Sequence, residues 1–318
     1  MLNLRASRGL LWCAAVALCM VFAPGTLHAQ TPSGANAELE ELAAIRAAAN
    51  AISNKDAGRF PFLRAFSTSL TTTSQHNSSS GWSSIFYPSL AWRPNQHVSV
   101  DVAVPAYVYL EIYDNVGTVA KPVYAFRPQR RAAWGDTVIN MEGDLPFKSF
   151  SYSGIFSLGL PSGNISNGIS AGQVTYSFNN WLEKSVGRFT PNLALGYGDT
   201  SSLINQGVLR NYVAVGPMAH FQAGTSVAVT PRISFSAAAY EELPLATDLI
   251  FSTTTKGKKK IIITTNEDPG EDNGFLTSLA VPLAPHLIMT GFYNRSLRDH
   301  TDIAGFSFTL VGRPSGSE

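Results

Sequence analysis

His97-Val98-Ser99-Val100-Asp101-Val102-Ala103-Val104-Pro105-Ala106-Tyr107-Val108-Tyr109-Leu110 is the stretch that decides how this chain folds. Taken every second residue, it sets Val98, Val100, Val102, Val104, Ala106, Val108 and Leu110 on one side. His97, Ser99, Asp101, Ala103, Pro105, Tyr107 and Tyr109 fall on the other. Successive side chains of an extended strand point to opposite faces, so the stretch has one oily face and one mixed, wettable face. Strands of soluble domains usually run about 5–6 residues, whereas a tilted strand crossing a bilayer needs roughly 9–11. Length and two-sidedness together predict a strand with lipid on one side and water on the other.

The same alternation recurs from Pro61 onward, over 62–73, 82–93, 97–111, 135–142, 149–160, 170–181, 189–198, 210–229, 232–242, 273–283, 286–296 and 301–312. In 301–312, Ala304, Phe306, Phe308 and Leu310 alternate with Ile303, Gly305, Ser307 and Thr309. In 232–242, Ile233, Phe235, Ala237 and Ala239 oppose Ser234, Ser236 and Ala238. The segment 210–229 is too long for one strand unless Gly216-Pro217 or Gly224 bends it. Short connections carry turn residues, as in Arg93-Pro94-Asn95-Gln96, Thr230-Pro231 and Ala284-Pro285. Longer ones, 74–81, 112–134, 161–169, 199–209, 243–272 and 297–300, alternate with them, so every long connection falls at one end. An even strand count, short turns inside and longer loops outside is the layout of a bacterial outer-membrane barrel. Within 243–272, the β-rich stretch Ile261 to Thr265 predicts a hairpin rising above the membrane. The expected fold is therefore all-β: an antiparallel transmembrane β-barrel of about 12 strands over 61–318, behind a short N-terminal helix and a signal peptide.

The N-terminus and composition agree with export. Arg5 and Arg8 precede the apolar run Leu10 to Ala23, and Leu27-His28-Ala29 offers a small residue before a cut near Gln30, so 1–30 reads as a cleaved signal peptide. Both cysteines, Cys13 and Cys19, lie within it, which leaves no cysteine for a disulfide or a metal in the remainder. After residue 30 no stretch approaches 18 continuous apolar residues, which excludes helical spans. Charged residues are 14% of the chain and mean hydropathy is +0.04; soluble domains carry about 25% charged residues. Within 31–60, residues 36–53 are the one convincing helix: Glu38, Glu40 and Glu41 open it, and Leu42, Ile45, Ala49 and Ile52 repeat at helical spacing. That stripe fits a partner helix, a plug in the barrel or a resting place on the inner rim. The net charge of +1 points to no nucleic-acid partner.

No hydrolytic or phosphate-binding motif is present: there is no Gly-x-Ser-x-Gly elbow, no His-Glu-x-x-His pair and no Gly-rich loop with Lys. The chain reads as a non-enzyme that needs no cofactor and no metal. His76, His97, His220, His286 and His300 are scattered. Asp101 is the ionisable residue of most interest, because it is expected to point inward at mid-strand, where a carboxylate attracts a cation or pairs with an interior Arg. Tyr107, Tyr109 and Glu111 are expected on the same inner face, and Arg64 as a candidate ion partner. These are the candidate pore-lining residues. Two loops carry charge: Arg127, Arg130 and Arg131 in one, and Lys258, Lys259 and Lys260 before Glu267, Asp268, Glu271 and Asp272 in the other. Both read as solvated outer loops, with lipid phosphates as what the basic runs would meet; the acidic run does not follow EF-hand spacing. Trp82, Trp92, Trp134, Trp181 and Tyr197 are candidates for interfacial aromatic girdles.

Phe156-Ser157-Leu158-Gly159-Leu160-Pro161-Ser162-Gly163-Asn164, then Gly168 and Gly172-Gln173-Val174-Thr175-Tyr176, resembles a strand–loop–strand element of one outer-membrane family. That family is named after the meta-pathway of phenol degradation; its members carry a Leu-Pro-Thr-Gly turn, where this chain has Ser162 in place of Thr. The resemblance implies a barrel channel, some of whose relatives are linked to uptake of aromatic or other hydrophobic compounds, and brings no catalytic residues with it. Many outer-membrane barrels end on an aromatic residue, whereas this sequence runs on to Pro314-Ser315-Gly316-Ser317-Glu318. Barrels of about eight strands fill with side chains and those of 16–18 leave a wide aqueous channel. Twelve strands therefore predict a narrow or gated path for passive or facilitated uptake of small molecules across the outer membrane of a Gram-negative bacterium. The alternatives are a non-conducting structural or adhesive barrel, and a secreted soluble β-sandwich that binds through its loops.

Overall fold

The computed structural model describes residues 66–312, apart from 79–80, 96, 116–123, 129–131, 164, 166–168, 171, 204–211, 231–232, 257–258 and 285. The signal segment, the helix at 36–53 and Arg64 lie outside the described residues, as do Arg130, Arg131 and Lys258. In chain order the strands are β1 (Phe66–Asn77), β2 (Gly81–Asn95), β3 (Val98–Ala103), β4 (Ala106–Asn115), β5 (Tyr124–Pro128), β6 (Ala133–Trp134), β7 (Thr137–Pro146), β8 (Ser151–Leu160) and β9 (Thr175–Glu183). They continue as β10 (Phe189–Asp199), β11 (Tyr212–Ala214), β12 (Pro217–Ala228), β13 (Ser234–Pro244), β14 (Asp248–Lys256), β15 (Lys259–Glu267), β16 (Asp272–Ala284), β17 (Leu287–Ser296) and β18 (Asp302–Gly312). Between β10 and β11 lies one turn of 3-10 helix, Thr200–Leu203.

Twelve wall strands close into an antiparallel ring, in which β3 with β4, and β6 with β7, each count as one interrupted strand. β1 pairs with both β2 and β18, the latter from Thr68↔Gly312 to Asn77↔Ile303. The seam carries a side-chain bond as well, Thr71 Oγ1 to Thr309 Oγ1 at 2.9 Å on the inner face. A ring with no edge is the one sheet form that leaves no backbone N–H or C=O unsatisfied in hydrocarbon. A soluble sandwich has two open-edged sheets, and the closed ring replaces that alternative. The long connections gather at one end, the outer mouth, as the turn lengths predict, except that 74–81, expected to be one of them, is strand as far as Asn77 and leaves only 78–80 between β1 and β2. There β14 and β15 form the hairpin expected around Ile261, and β11 joins them in a separate three-stranded sheet.

The faces separate cleanly. On β10, Leu193, Leu195 and Tyr197 are exposed, while Ala194 between them is wholly buried. On β18, Phe306, Phe308 and Leu310 are exposed, while Ser307 and Thr309 are buried. In a water-soluble protein this order would be inverted. Here the apolar side chains form an outer belt and the hydroxyls face the lumen.

Three local departures have physical causes. The stretch that opens the sequence reading keeps its alternation through the break at Val104-Pro105 as far as Tyr107, with Pro105 and Tyr107 both buried. A bulge at Val108 then re-phases it, because Ser84 pairs with Tyr109 and Ile85 with Tyr107. The segment 210–229 breaks at Val215-Gly216, where a Cβ on Gly216 would lie within 3.0 Å of the Ala246 backbone. The segment 170–181 becomes strand only from Thr175, because the residues before it belong to a loop held at the mouth.

A lysine on the lipid face at mid-strand should cost about 2–4 kcal/mol. Leu195→Lys is therefore expected to lower the folded, faster-migrating fraction on an unboiled gel. Ser234→Lys, at an inward position near the short turns, should assemble as the unsubstituted chain does. Equal loss from both would contradict the assignment of faces.

Candidate functional site

Register fixes what meets inside the barrel. One row of paired residues runs Ser99, Glu142, Ile155, Asn179, Gly196, His220, Glu242 and Asp272, across β3, β7, β8, β9, β10, β12, β13 and β16. Wall strands of such barrels tilt by about 35–45°, so a row perpendicular to them climbs as it winds round the wall. Glu142 accordingly sits toward the short-turn end of its strand, and Glu242 and Asp272 at the outer ends of theirs. Asp101 lies in the neighbouring row with Asn140 and Ser157.

These side chains hold one another in place. Asn140 Nδ2 donates to Asp101 Oδ2 at 2.9 Å, and Ser157 Oγ donates to Asn140 Oδ1 at 2.6 Å. Ser99 Oγ donates to Glu142 Oε2 at 3.1 Å. Across the barrel, Tyr240 Oη and Ser296 Oγ donate to the two oxygens of Asp272 at 3.0 and 2.5 Å. His220 Nδ1 lies 3.6 Å from Glu242 Oε1, with both side chains buried. Gly274 leaves the space beside Tyr240 open: a Cβ there would clash with the Arg295 carbonyl oxygen, which requires glycine, and would stand 2.9 Å from the Tyr240 hydroxyl.

The mouth is narrowed from above. Ile169, in the connection between β8 and β9, is buried against Ile85, Tyr107, Leu110 and Ala133, with Tyr87 beside them. Those partners face inward, so Ile169 enters the lumen. The anchor of its loop is the Pro161-Ser162-Gly163 turn, the same residues that carry the family resemblance. Ser162 Oγ accepts from Thr137 N at 2.9 Å and shares a bond with Thr137 Oγ1 at 2.8 Å. Gly163 N donates to Asp136 Oδ1 at 2.8 Å. A Cβ on Gly163 would lie 2.9 Å from the Asp136 backbone nitrogen, so the turn needs glycine for its close approach. Serine keeps the hydroxyl a threonine would supply. Asp136 lies between β6 and β7, above the last rung of β7 with β8, and its burial pushes the carboxyl above the usual carboxylate range, against the hydrogen bonds from Ser170 and Gly163. At the start of β14, Asp248 ties down the connection between β10 and β12, accepting from Thr200 Oγ1 at 2.5 Å and Gly216 N at 2.7 Å.

Of the residues singled out from sequence, Asp101 faces inward and is half-buried, and Tyr107 faces inward and is 1% exposed. Tyr109 and Glu111 do not join them. The bulge at Val108 turns Tyr109 outward, 38% exposed, where its hydroxyl donates to Glu111 Oε1 at 2.9 Å and Trp82 N donates to Glu111 Oε2 at 2.8 Å. Trp82, Trp92, Trp134 and Tyr197 are exposed on the outer belt, but Trp181 pairs with the buried Ala194 and faces inward. Arg127 lies on β5, paired with Ile112 beyond the wall, and Lys259 and Lys260 lie on β15. Sequence reading set His220 aside as one of several scattered histidines and passed over Gln222, Glu142, Glu242 and Asn294. Their signal was parity: His220 and Gln222 share alternation with Ser226, and Glu242 with Ser234 and Ser236. Asp272 was read as part of an acidic loop because β16 begins there without any apolar lead.

No protein-family model matches the chain, and no curated protein matches it. Among solved structures it is similar to an outer-membrane channel from Pseudomonas putida F1, with a TM-score of 0.52 and 11% identity, over 81% of this chain and all of that one. The fold is that of an outer-membrane β-barrel. More distant matches include the toluene transporter TbuX of Ralstonia pickettii, with a TM-score of 0.41, 7% identity and coverage of 78% of this chain and 88% of that chain. They also include the toluene transporter TodX of Pseudomonas putida, with a TM-score of 0.41, 8% identity and coverage of 77% and 87%.

A carboxyl whose pKa is raised on docking favours the docked state below its undocked value, and that contribution fades as pH rises through the raised value. Loop 161–174 should therefore be held more tightly as pH falls toward the ordinary value of 3.8 for Asp136. Limited proteolysis of the loop should slow on acidification, and Asp136→Asn should flatten that dependence. A pH-independent rate in the unsubstituted chain would contradict it.

Proposed function

We propose that this chain is an outer-membrane channel for passive or facilitated uptake of small molecules, delivered to that membrane by its N-terminal signal. One observation carries the reading. Buried inward-facing polar atoms have no hydrogen-bond partner within the protein: both amide atoms of Gln222, both ring nitrogens of His220, Asn294 Oδ1, Thr175 Oγ1, Asn192 Oδ1 and Ser307 Oγ. Each buried polar group left unsatisfied costs about 1–3 kcal/mol, so a wall that collects several is built to meet water or solute.

The finer reading is an aromatic solute bearing a polar group. Tyr87, Tyr107, Trp181, Tyr240 and Phe292 occupy inward positions between the hydroxyls and amides. Ring faces and hydrogen-bonding groups side by side suit a phenol-like molecule, which is also the direction of the family resemblance at Leu158–Asn164. The second reading, a non-conducting barrel, draws on Ile169 seated among inward apolar side chains. Asp101, half-buried and inward, is proposed as a lining carboxylate that favours cations.

Purified chain in a planar bilayer should give discrete current steps. Asp101→Asn should shift its preference away from cations, and Ile169→Asp, by undocking the loop, should enlarge the steps. A silent bilayer for both the unsubstituted chain and Ile169→Asp would favour the closed barrel. An unchanged cation-to-anion preference in Asp101→Asn would remove that residue from the path.

A further inference from the structure

On the inner faces of β10 and β12, two amide side chains stand diagonally across a floor of small residues. Gln222 is paired with Ala194, and Asn192 with Gly224, in successive inward rungs. Diagonal positions of this kind lie about 7–8 Å apart, within reach of long side chains. Ala238, opposite Gly224 on β13, is small as well. Gln222 and Ala194 stand halfway along their strands, so the patch lies near the waist of the lumen. Tyr240 flanks Gln222 on β13, and Trp181 flanks Ala194 on β9.

The neighbours in these rungs do not serve the two amides. Ala194, Gly224 and Ala238 carry no polar side-chain atom, and Tyr240 Oη donates to Asp272 Oδ2 at 3.0 Å. Glu183, opposite Asn192 on β9, can only accept when ionised, so it cannot serve Asn192 Oδ1. Gln222 is 2% exposed with Nε2 and Oε1 both unpartnered, and Asn192 Oδ1 is buried and unpartnered too. The inward acids nearby are met from within the protein: His220 stands 3.6 Å from Glu242, and Asp272 accepts from Tyr240 and Ser296. What stays open at the waist is therefore one donor group and two acceptors, all uncharged.

We propose that Gln222 and Asn192 form a binding station for the primary carboxamide of a small aromatic solute, over the floor of Ala194 and Gly224. The proposal rests on the reading of the lumen as open to solute, and it names the polar group that the solute carries. A primary carboxamide presents one carbonyl and two N–H groups. Its carbonyl accepts from Gln222 Nε2, the N–H on the same side donates to Gln222 Oε1, and the other N–H donates to Asn192 Oδ1. Every open atom is then matched. A carboxylate brings no donor for the two oxygens, and an ammonium brings no acceptor for the Gln222 N–H. A phenol hydroxyl brings a single donor for two oxygens. The rings of Trp181 and Tyr240 on either side suit a planar aromatic body.

The probe is benzamide, titrated calorimetrically into the full folded chain in detergent, with detergent alone as the blank. Saturable binding is expected. Acetophenone keeps the shape and the carbonyl but has no N–H, and it should bind at least tenfold more weakly, as should benzoate and benzylammonium. Gln222→Leu, which breaks no side-chain bond within the protein, should weaken benzamide at least tenfold. Phe221→Leu, on the lipid side of the same strand, should bind as the unsubstituted chain does. Absent binding, acetophenone or either ion as tight as benzamide, or unaltered benzamide binding in a folded Gln222→Leu barrel would overturn the station. Should Gln222→Leu fail to assemble, the acetophenone comparison decides alone. Current steps without benzamide binding overturn the station and leave the channel; binding without current steps overturns the channel and leaves the station.

Discussion

Pairing of the backbone across the seam between β1 and β18 is the constraint on which the rest of the molecule depends. In hydrocarbon no water is present to satisfy an edge strand, so the wall closes or it does not enter. The ten rungs from Thr68↔Gly312 to Asn77↔Ile303 achieve this between the two ends of the described chain, the contact of greatest sequence separation in the fold. Loop-closure entropy makes such a contact late and unfavourable until its neighbours have formed. Everything interior, including the acidic rows, takes its position only once the ring is shut.

Closure also explains why polar residues crowd the inside. With lipid outside, most of the apolar half of each strand is committed to the belt, and the interior holds mainly Ser, Thr, Asn, Gly and a few acids and aromatics, with aliphatic exceptions such as Ile85, Leu110, Ile155 and Leu276. Interior hydroxyls can bond across adjacent strands, as Thr71 does with Thr309 and Ser226 with Ser236 at 2.9 Å. Larger side chains need space, and glycine supplies it. Gly196 leaves room for the Asn179 side chain, as Gly274 does for Tyr240. The lumen is thus packed by unequal pairs, large against absent, which is how a wall of small residues still narrows its passage.

The alternation made the ring legible. Period two, even count and one-sided long connections are each local signals, and together they point to twelve strands; the excess length of 210–229 points to a bend at Gly216-Pro217 or Gly224, of which the first is found, and the β-rich stretch at Ile261 to the hairpin. What resisted reading was anything that depends on a partner strand. The phase change at Val108 is invisible in Tyr107-Val108-Tyr109, because alternation continues through it; only pairing against Ser84 and Ile85 exposes it. Trp181 reads as a girdle aromatic until its neighbour Ala194 fixes its side. Glu142, Glu242 and Asp272 lie far apart in sequence and share a row only because register carries one to the next.

The resemblance at Leu160-Pro161-Ser162-Gly163 acquires a physical content from the same logic. A strand that ends in Leu-Pro cannot continue its ladder, because proline lacks the N–H that a further rung requires. The chain then turns back over its neighbour, where Ser162 bonds Thr137 and Gly163 fits against Asp136. Beyond the turn, Ile169 reaches the apolar floor made by Ile85, Tyr107 and Leu110. Tyr107 and Leu110 both face inward because the Val108 bulge inserts one extra residue between them; without it, Leu110 would lie on the belt. The bulge and the turn belong to one device, the first preparing an oily seat in a polar wall and the second delivering the residue that fills it.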